Sequence, residues 1–490
     1  MFRHRLRLII AGLLVSVFLA GPVLAATDAE IQAILADRID YAKRSVGIVV
    51  GLVDADGETV VGHGRRGPDD PAIPDGDTVF EIGSVTKVFT ATLLAEMAGR
   101  NKVAIEAPAA SYLPDSLRFP GKEDDPITLY HLTTHTSGLP RMPDNFAPTD
   151  PFNPYADYSV QLMYEFLSGH EPARAPGETA EYSNLGVGLL GHILAEVAGT
   201  DYETLVKKRI TKPLKMADTA ITLTVGMKER LAVGHGANMK PTSNWDIPTL
   251  AGAGALRSTV DDMLKFVAAN LGLTRTKLSA AFETTHRPRE SLGDDGTQVG
   301  LGWIVTTEHG RAITWHNGGT GGYRSFVGLD KERRKGVVVL SNSVASIDDI
   351  GFHLLDPKFE LADVKPIETT SDFPASPAGK ALGAWLEVTR GSDTDAARKH
   401  YDEAFAESFH AAVPADAYMG FRADLQGMLA AADLDRVVAR SDYDLSAYVN
   451  SNGVWLAIHI QVRPEEPHKI VGLLVQPTDP PEDAEPDGEE

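Results

Sequence analysis

Apolar residues at Ile31, Ile34, Leu35 and Ile39 are spaced for one face of a helix, predicted across residues 30–44. Val46 to Val53 is rich in Val and Ile and reads as a strand. Asp54-Ala55-Asp56-Gly57 supplies a turn, and Glu58 to Gly62 returns as a second strand. Far downstream, Tyr323 to Leu329 and Gly336 to Asn342 form another apolar pair joined by the charged loop Asp330 to Lys335. Between the pairs the pattern is mostly helical. Val85 to Ala98 is apolar on nearly every face, which predicts a buried helix, and Gly188 to Val197 is similar. A sheet drawn from both ends of a domain, with helices between, predicts an α/β fold with a mainly antiparallel sheet.

Pro366, Pro374 and Pro377 stand among Thr, Ser and Asp, so residues 363–379 read as a linker. The domain boundaries that follow are a hydrolase-sized unit at 26–362 and a smaller unit at 380–477. The smaller unit begins helical, through Ala396 to Ser408, and ends in strand-like runs at Ser446–Val449, Val454–Val462 and Lys469–Gln476. From 478 to 490 the chain is acidic with no apolar anchor beyond Ala484, so this tail is expected to be disordered.

The length of 490 residues agrees with two or three domains. The formal charge of −22 repels phosphate backbones, and no Lys/Arg block overrides it, so nucleic acid is excluded as a partner. There are no cysteines, which excludes disulfides, Cys nucleophiles and Cys zinc sites. At the N-terminus, Arg3, Arg5 and Arg7 precede the apolar run Leu8 to Ala20, and Val23-Leu24-Ala25 fits the small-x-small cleavage rule. Residues 1–25 therefore read as a signal peptide, with Ala26 the first mature residue. The apolar run is shorter than the roughly 20 residues a spanning helix needs, so no stable membrane anchor is expected after cleavage. A periplasmic or secreted location follows.

The chemistry concentrates in three stretches. In Glu81-Ile82-Gly83-Ser84-Val85-Thr86-Lys87, Ser84 sits where the buried helix begins, and Lys87 lies three residues on, on the same face. Burial disfavours a charged Lys, which lets it accept the proton of a Ser nucleophile. Ser-x-x-Lys alone is a common spacing, and Ser is a favoured helix cap. What raises its weight is a Lys in the first turn of so apolar a helix. In Tyr182-Ser183-Asn184, a Tyr hydroxyl near a cationic Lys can relay protons, and an Asn amide can orient Lys and hold a substrate carbonyl. In His316-Asn317-Gly318-Gly319-Thr320-Gly321-Gly322, the glycines allow close backbone approach, and an N–H there can complete an oxyanion hole. The plain alternative for this third stretch is a flexible hairpin loop.

Ser84-Val85-Thr86-Lys87, Tyr182-Ser183-Asn184 and His316-Asn317-Gly318, in that order, resemble the signature of the penicillin-recognising serine hydrolases. That family includes class C β-lactamases, D-Ala-D-Ala carboxypeptidases, D-aminopeptidases and related esterases. Leu132-Thr133-Thr134-His135-Thr136-Ser137-Gly138-Leu139 and Gly300-Leu301-Gly302-Trp303 add to the likeness, which spans about residues 30–345. The resemblance implies a β-lactamase/transpeptidase-like fold: an antiparallel sheet flanked by helices, with a helical subdomain. It implies Ser84 as the acylated nucleophile, and Lys87 and Tyr182 as proton-transfer partners with the base left open between them. It further implies Asn184 as support for Lys87 and the substrate, and the N–H groups of Ser84 and Gly319 as the oxyanion hole. His316 and Gly318 occupy the third motif. β-Lactamases usually carry Lys-Thr/Ser-Gly there, whereas His is more typical of esterase-like and D-aminopeptidase-like members, so esters or D-amino-acid peptides and amides are the expected substrates. Residues 380–477 resemble small α+β accessory domains, with a fold similar to nuclear transport factor 2.

Other patterns carry less. Gly186-Val187-Gly188-Leu189-Leu190-Gly191 fits a dinucleotide fingerprint but lacks the strand–helix context. His131 and His135 have zinc-like spacing but no Glu follows His131, so a structural role is expected. No cofactor or metal is called for, and the partner is a small-molecule or short-peptide substrate. The competing functions are a β-lactamase and a slowly deacylating penicillin-binding-like protein; the latter shares the signature and differs in how water reaches the acyl-enzyme.

Overall fold

The computed structural model describes residues 26–480 apart from 123, 238, 293–295, 365, 367 and 479. The expected signal peptide (1–25) and nearly all of the expected disordered tail lie outside the described residues.

The first domain is built on an eight-stranded sheet. Its order is Glu58–Gly64, Gly47–Val53, Lys335–Ser341, Arg324–Asp330, Arg311–Gly319, Ile304–Glu308, Gln298–Val299 and Glu290–Ser291, and the named pairings are antiparallel. The two ends of the domain thus meet in its centre, with Val50 opposite Val339. Both faces are covered, which is why the central strands read as unbroken apolar runs. Ile48, Val50, Leu52, Val337 and Val339 pack with Ile31, Leu35, Ile350 and Leu354 on one side. Val49, Val53, Val338 and Leu340 face Val260, Leu264 and Phe266 on the other.

The predicted helix at 30–44 is an α-helix over Asp28–Ala36, continued by a π-helical turn at Asp37–Tyr41. Thr27 and Glu30 cap it reciprocally. Helix Thr86–Gly99 is buried along most of its length, as its all-round apolarity requires, and Phe89 stacks on Phe266 at 4.3 Å. Helix Asn184–Ala198 starts at Ser183, whose Oγ accepts the N–H of Gly186, and ends at Gly199 with φ 64°. The glycines of the apparent dinucleotide fingerprint lie inside this helix. A Cβ at Gly191 would stand 2.8 Å from Gly252 Cα, so glycine there permits close approach of the turn at Ala251–Gly254.

The second domain has its own core, including Trp385, Tyr418, Val437, Ile458 and Ile460. Its five-stranded antiparallel sheet runs Glu368–Thr370, Asp433–Ser441, Asp444–Ser451, Val454–Val462 and Ile470–Pro477. Helices Pro377–Arg390 and Ala415–Leu429 contribute Trp385, Leu386, Leu425 and Leu429 to that core. The segment read as a linker is ordered over part of its length. Glu368–Thr370 adds an edge strand, and Ser376 caps a helix that starts at Pro377. The proline pattern marks helix entry there as much as a flexible connection. Among the described residues, no helix is long and apolar enough to cross a membrane.

Candidate active site

Ser84 lies in a 3-10 turn, Gly83–Val85, that leads into helix Thr86–Gly99. The turn is reached from Phe80–Glu81, a short strand paired with Arg257–Ser258. Glu81 and Arg257 form a buried ion pair at 3.1 Å, and the same Glu81 oxygen accepts from the N–H of Trp245 at 2.9 Å and from Asn244 Nδ2 at 3.1 Å. This network ties the Trp245 loop to the stem of the serine turn.

Lys87 is fully buried. Its Nζ lies 3.0 Å from Ser84 Oγ, 2.9 Å from Asn184 Oδ1 and 2.8 Å from the carbonyl of Ala253. No carboxylate is among these partners. Burial, helped by the cation of Arg141, holds the amine well below its usual range. Lys87 Nζ also sits 4.8 Å from the centroid of the Tyr182 ring. Burial pushes the Tyr182 phenol up to about 12, against the lowering effects of a hydrogen bond with Ser84 and of Arg141. The ring stacks on His135 at 4.5 Å, and the Arg141 guanidinium lies 5.2 Å from its centroid.

His135 has φ 63°, and its Nδ1 accepts the N–H of Ser183 at 3.1 Å. The Thr-Ser-Gly stretch therefore buttresses the Tyr-x-Asn stretch. His131 instead closes the N-terminus of helix Leu129–Thr133 with Thr128. The two histidines with zinc-like spacing do separate structural jobs.

The third motif is a strand rather than a loop: His316, Asn317, Gly318 and Gly319 end the strand Arg311–Gly319, with Gly318 opposite Ser325. Strand alternation turns His316 and Asn317 to opposite faces. His316 is buried 6.3 Å from the Tyr182 ring, and burial plus the nearby Lys87 lowers it to about 3, so it is neutral at neutral pH. Asn317 donates instead to Asp348 Oδ2 at 2.6 Å. A Cβ at Gly318 would lie 2.1 Å from Ile82 O and 3.0 Å from Ser84 N. A Cβ at Gly83, whose φ is 47°, would lie 2.7 Å from Gly319 N. Glycine at these positions is what lets the strand close on the serine turn, bringing the backbone of Ser84 and of Gly319 together. Ser325 Oγ fastens the contact by donating to Ile82 O at 2.7 Å.

All seven residues singled out in the sequence thus converge: Ser84, Lys87, Tyr182, Asn184, His316, Gly318 and Gly319. Sequence reasoning passed over Arg141, the Ala253 carbonyl and an aromatic wall in which Tyr155 lies 3.5 Å from Asn184 Nδ2 and 5.3 Å from the Trp245 ring. Arg141 directly follows the Thr-Ser-Gly-Leu-Pro run, a position that was a usable signal. Among the described residues, no cluster of His, Cys, Asp and Glu could hold a metal ion.

A family model described as Beta-lactamase matches residues 28–353. The D-alanyl-D-alanine-carboxypeptidase/endopeptidase AmpH of Escherichia coli (strain K12) is 30% identical over 379 residues, covering 73% of this chain and 96% of that protein. A β-lactamase of Pseudomonas fluorescens is 28% identical over 299 residues, covering 54% of this chain and 80% of that protein. Among solved structures, a β-lactamase/D-alanine carboxypeptidase from Yersinia pestis, complexed with citrate, superposes with a TM-score of 0.57 at 27% identity. It covers 64% of this chain and 92% of its own. A class C β-lactamase from Rhodobacter sphaeroides superposes with a TM-score of 0.58 at 25% identity, over 68% of this chain and 99% of its own.

Proposed function

The chain belongs to the β-lactamase family of serine hydrolases, and from that premise we propose that it hydrolyses esters or D-amino-acid-containing peptides and amides through an acyl-enzyme on Ser84. The observation that carries this reading is Lys87: buried, without a carboxylate partner among the described residues, and 3.0 Å from Ser84 Oγ. Such an amine favours its neutral form and can take the serine proton.

Lys87 Nζ accepts the Ser84 proton as Oγ bonds to the substrate carbonyl carbon. The N–H groups of Ser84 and Gly319 receive the oxyanion. The Tyr182 phenol, kept protonated by burial, gives its proton to the leaving amine or alcohol and is reprotonated from Lys87. Asn184 holds Lys87 and presents its amide to the acyl group. Water then releases the acid by the reverse proton path.

The neutral His316 supports the preference against β-lactams, since it offers no permanent cation to a drug carboxylate. The AmpH relative, matched over nearly its whole length, supports a D-alanyl peptide as substrate class. Residues 1–25 support export, which would bring the enzyme to such peptides outside the cytoplasm.

The test is to give the mature protein D-alanyl amides and peptides, short nitrophenyl esters and a chromogenic cephalosporin. Steady turnover of the first two classes, with kcat/KM above that for the cephalosporin, is the expected result. Preferred turnover of the cephalosporin makes the protein a β-lactamase. A single stoichiometric burst with every substrate makes it a slowly deacylating binding protein.

A further inference from the structure

Away from the serine, a cavity of about 540 Å³ lies where the two domains meet. Its volume is that of a small-molecule site. Four guanidinium groups line it against two carboxylates: Arg38, Arg44 and Arg324 from the hydrolase domain and Arg440 from the second domain, with Asp349 and Asp444.

The carboxylates are already engaged. Asp349 Oδ2 binds Arg38 at 2.6 Å and the N–H of Ala362 at 2.8 Å. Asp444 Oδ1 is 3.4 Å from Arg440. Arg440 also reaches Ser446 Oγ at 2.9 Å and, across the domain boundary, the carbonyl of Ala237 at 3.3 Å. Among the described residues Arg324 hydrogen-bonds the backbone carbonyls of Thr320 at 3.3 Å and Tyr323 at 3.1 Å; its charge is opposed by Asp348, which lies beyond ion-pair distance and only partly offsets the lowering by burial. Burial holds Arg44 below its usual range; Asp444 works against that, while Arg440 and Arg38 add to it. Counted as groups, the four guanidiniums still outnumber the lining carboxylates Asp349 and Asp444 together with nearby Asp348, so positive charge is in excess in a half-enclosed space on a chain whose formal charge is −22. Packing alone gives no reason to gather four guanidinium groups there, since like charges at short range repel.

We propose that the two domains together form a binding site for a small organic anion carrying two or more carboxylate or phosphate groups, held between Arg44, Arg324 and Arg440. Guanidinium groups suit such a ligand because their planar forks pair with two oxygens at once. The second domain then has a role of its own: it supplies the wall that carries Arg440 and His459. The site also adjoins the reaction centre through the backbone, because Arg324 pairs with Gly319 and holds the Thr320 and Tyr323 carbonyls.

The test uses the full mature chain in isothermal titration calorimetry, at about 0.15 M salt where long-range charge effects are screened. Inorganic pyrophosphate and tricarballylate serve as separate probes, distinguishing phosphate from carboxylate chemistry. One or both are expected to bind at one equivalent. Arg440→Gln and Arg44→Gln should each weaken binding at least about tenfold, the worth of a lost charge-assisted hydrogen bond. Hydrolysis of the best substrate without anion should be unchanged in these variants, which reports that they fold. Failure of both probes to bind at roughly 10 mM, far above the affinities of specific sites, overturns the proposal. So does equal affinity in the wild type and in whichever variant retains activity.

Discussion

Lys87 and Tyr182 lie in contact, with Nζ 4.8 Å from the ring centroid, and the same burial moves their proton affinities in opposite directions. The amine is held well below its usual range and the phenol is pushed up to about 12. Near neutral pH this favours a neutral amine beside a protonated phenol, the pair of states the proposed relay requires. The expected pH profile of kcat/KM rises as pH rises through the depressed Lys87 value. It then stays flat, because Tyr182 keeps its proton until near its own raised value. If the Tyr182→Phe variant loses the acidic limb while Lys87 variants keep it, the two roles are reversed.

Ser84→Ala should abolish covalent labelling by a fluorophosphonate probe, with an unchanged circular dichroism spectrum. Ser84 Oγ lies 3.0 Å from Lys87 Nζ, the group proposed to take its proton. Intact mass showing a stoichiometric adduct on the variant would place the nucleophile elsewhere.

Lys87→Ala and Tyr182→Phe should each lower kcat by at least about 100-fold, the usual worth of positioned proton transfer. A variant that keeps near wild-type turnover removes its residue from the relay.

Gly318→Ala tests the closure of the strand on the serine turn. The added methyl would stand 2.1 Å from Ile82 O and 3.0 Å from Ser84 N, so the strand must move outward. Because an oxyanion donor is worth about 100-fold or more, kcat should fall by at least about tenfold. Thermal stability should fall as well, because the clash is with a buried backbone carbonyl that cannot simply rotate away. An unchanged kcat would show that the two amides need not be this close.

His316→Lys should shift preference towards carboxylate-bearing substrates, read as a fall in the ratio of kcat/KM for ester over cephalosporin. The side chain at 316 faces Lys87 and Tyr182, whereas Asn317 is turned to Asp348, so the single change tests the charge argument. An unmoved ratio would separate substrate choice from charge at this position.

Acid stability should depend on His286. It is buried, its Nε2 lies 2.8 Å from Asn270 Oδ1, and burial lowers it to about 3 from an unfolded value near 6.5. The unfolded chain therefore binds the extra proton between those values. The stabilisation is present above about pH 6.5 and is lost as pH falls towards 3. His286→Gln should reduce the slope of unfolding free energy against pH in that window by about one proton, roughly 1.4 kcal/mol per pH unit. Urea titrations at several pH values measure it, and an unchanged slope would contradict the burial argument.

Much of this protein is written locally. The apolar runs at Val46–Val53 and Gly336–Asn342, the all-round apolar helix after Ser84 and the three-residue step to Lys87 follow from residue spacing, because strand and helix periods fix which side chains share a face. Tertiary contacts decided the rest. His316–Gly319 left a flexible loop open as an alternative because glycines carry no side-chain periodicity; it is a strand because Arg324–Asp330 and the serine turn supply partners from other parts of the chain. Glu368–Thr370 is a strand for the same reason, paired to residues some seventy positions away. The third contact of Lys87, the Ala253 carbonyl, and the placement of Arg141 over Tyr182 have no local signature, since a backbone oxygen looks alike at every residue. The sequence by itself named the groups that the fold brings together around Ser84. Only the folded chain decided the proton affinities of Lys87, Tyr182 and His316, because desolvation depends on what surrounds a group and not on its neighbours in sequence.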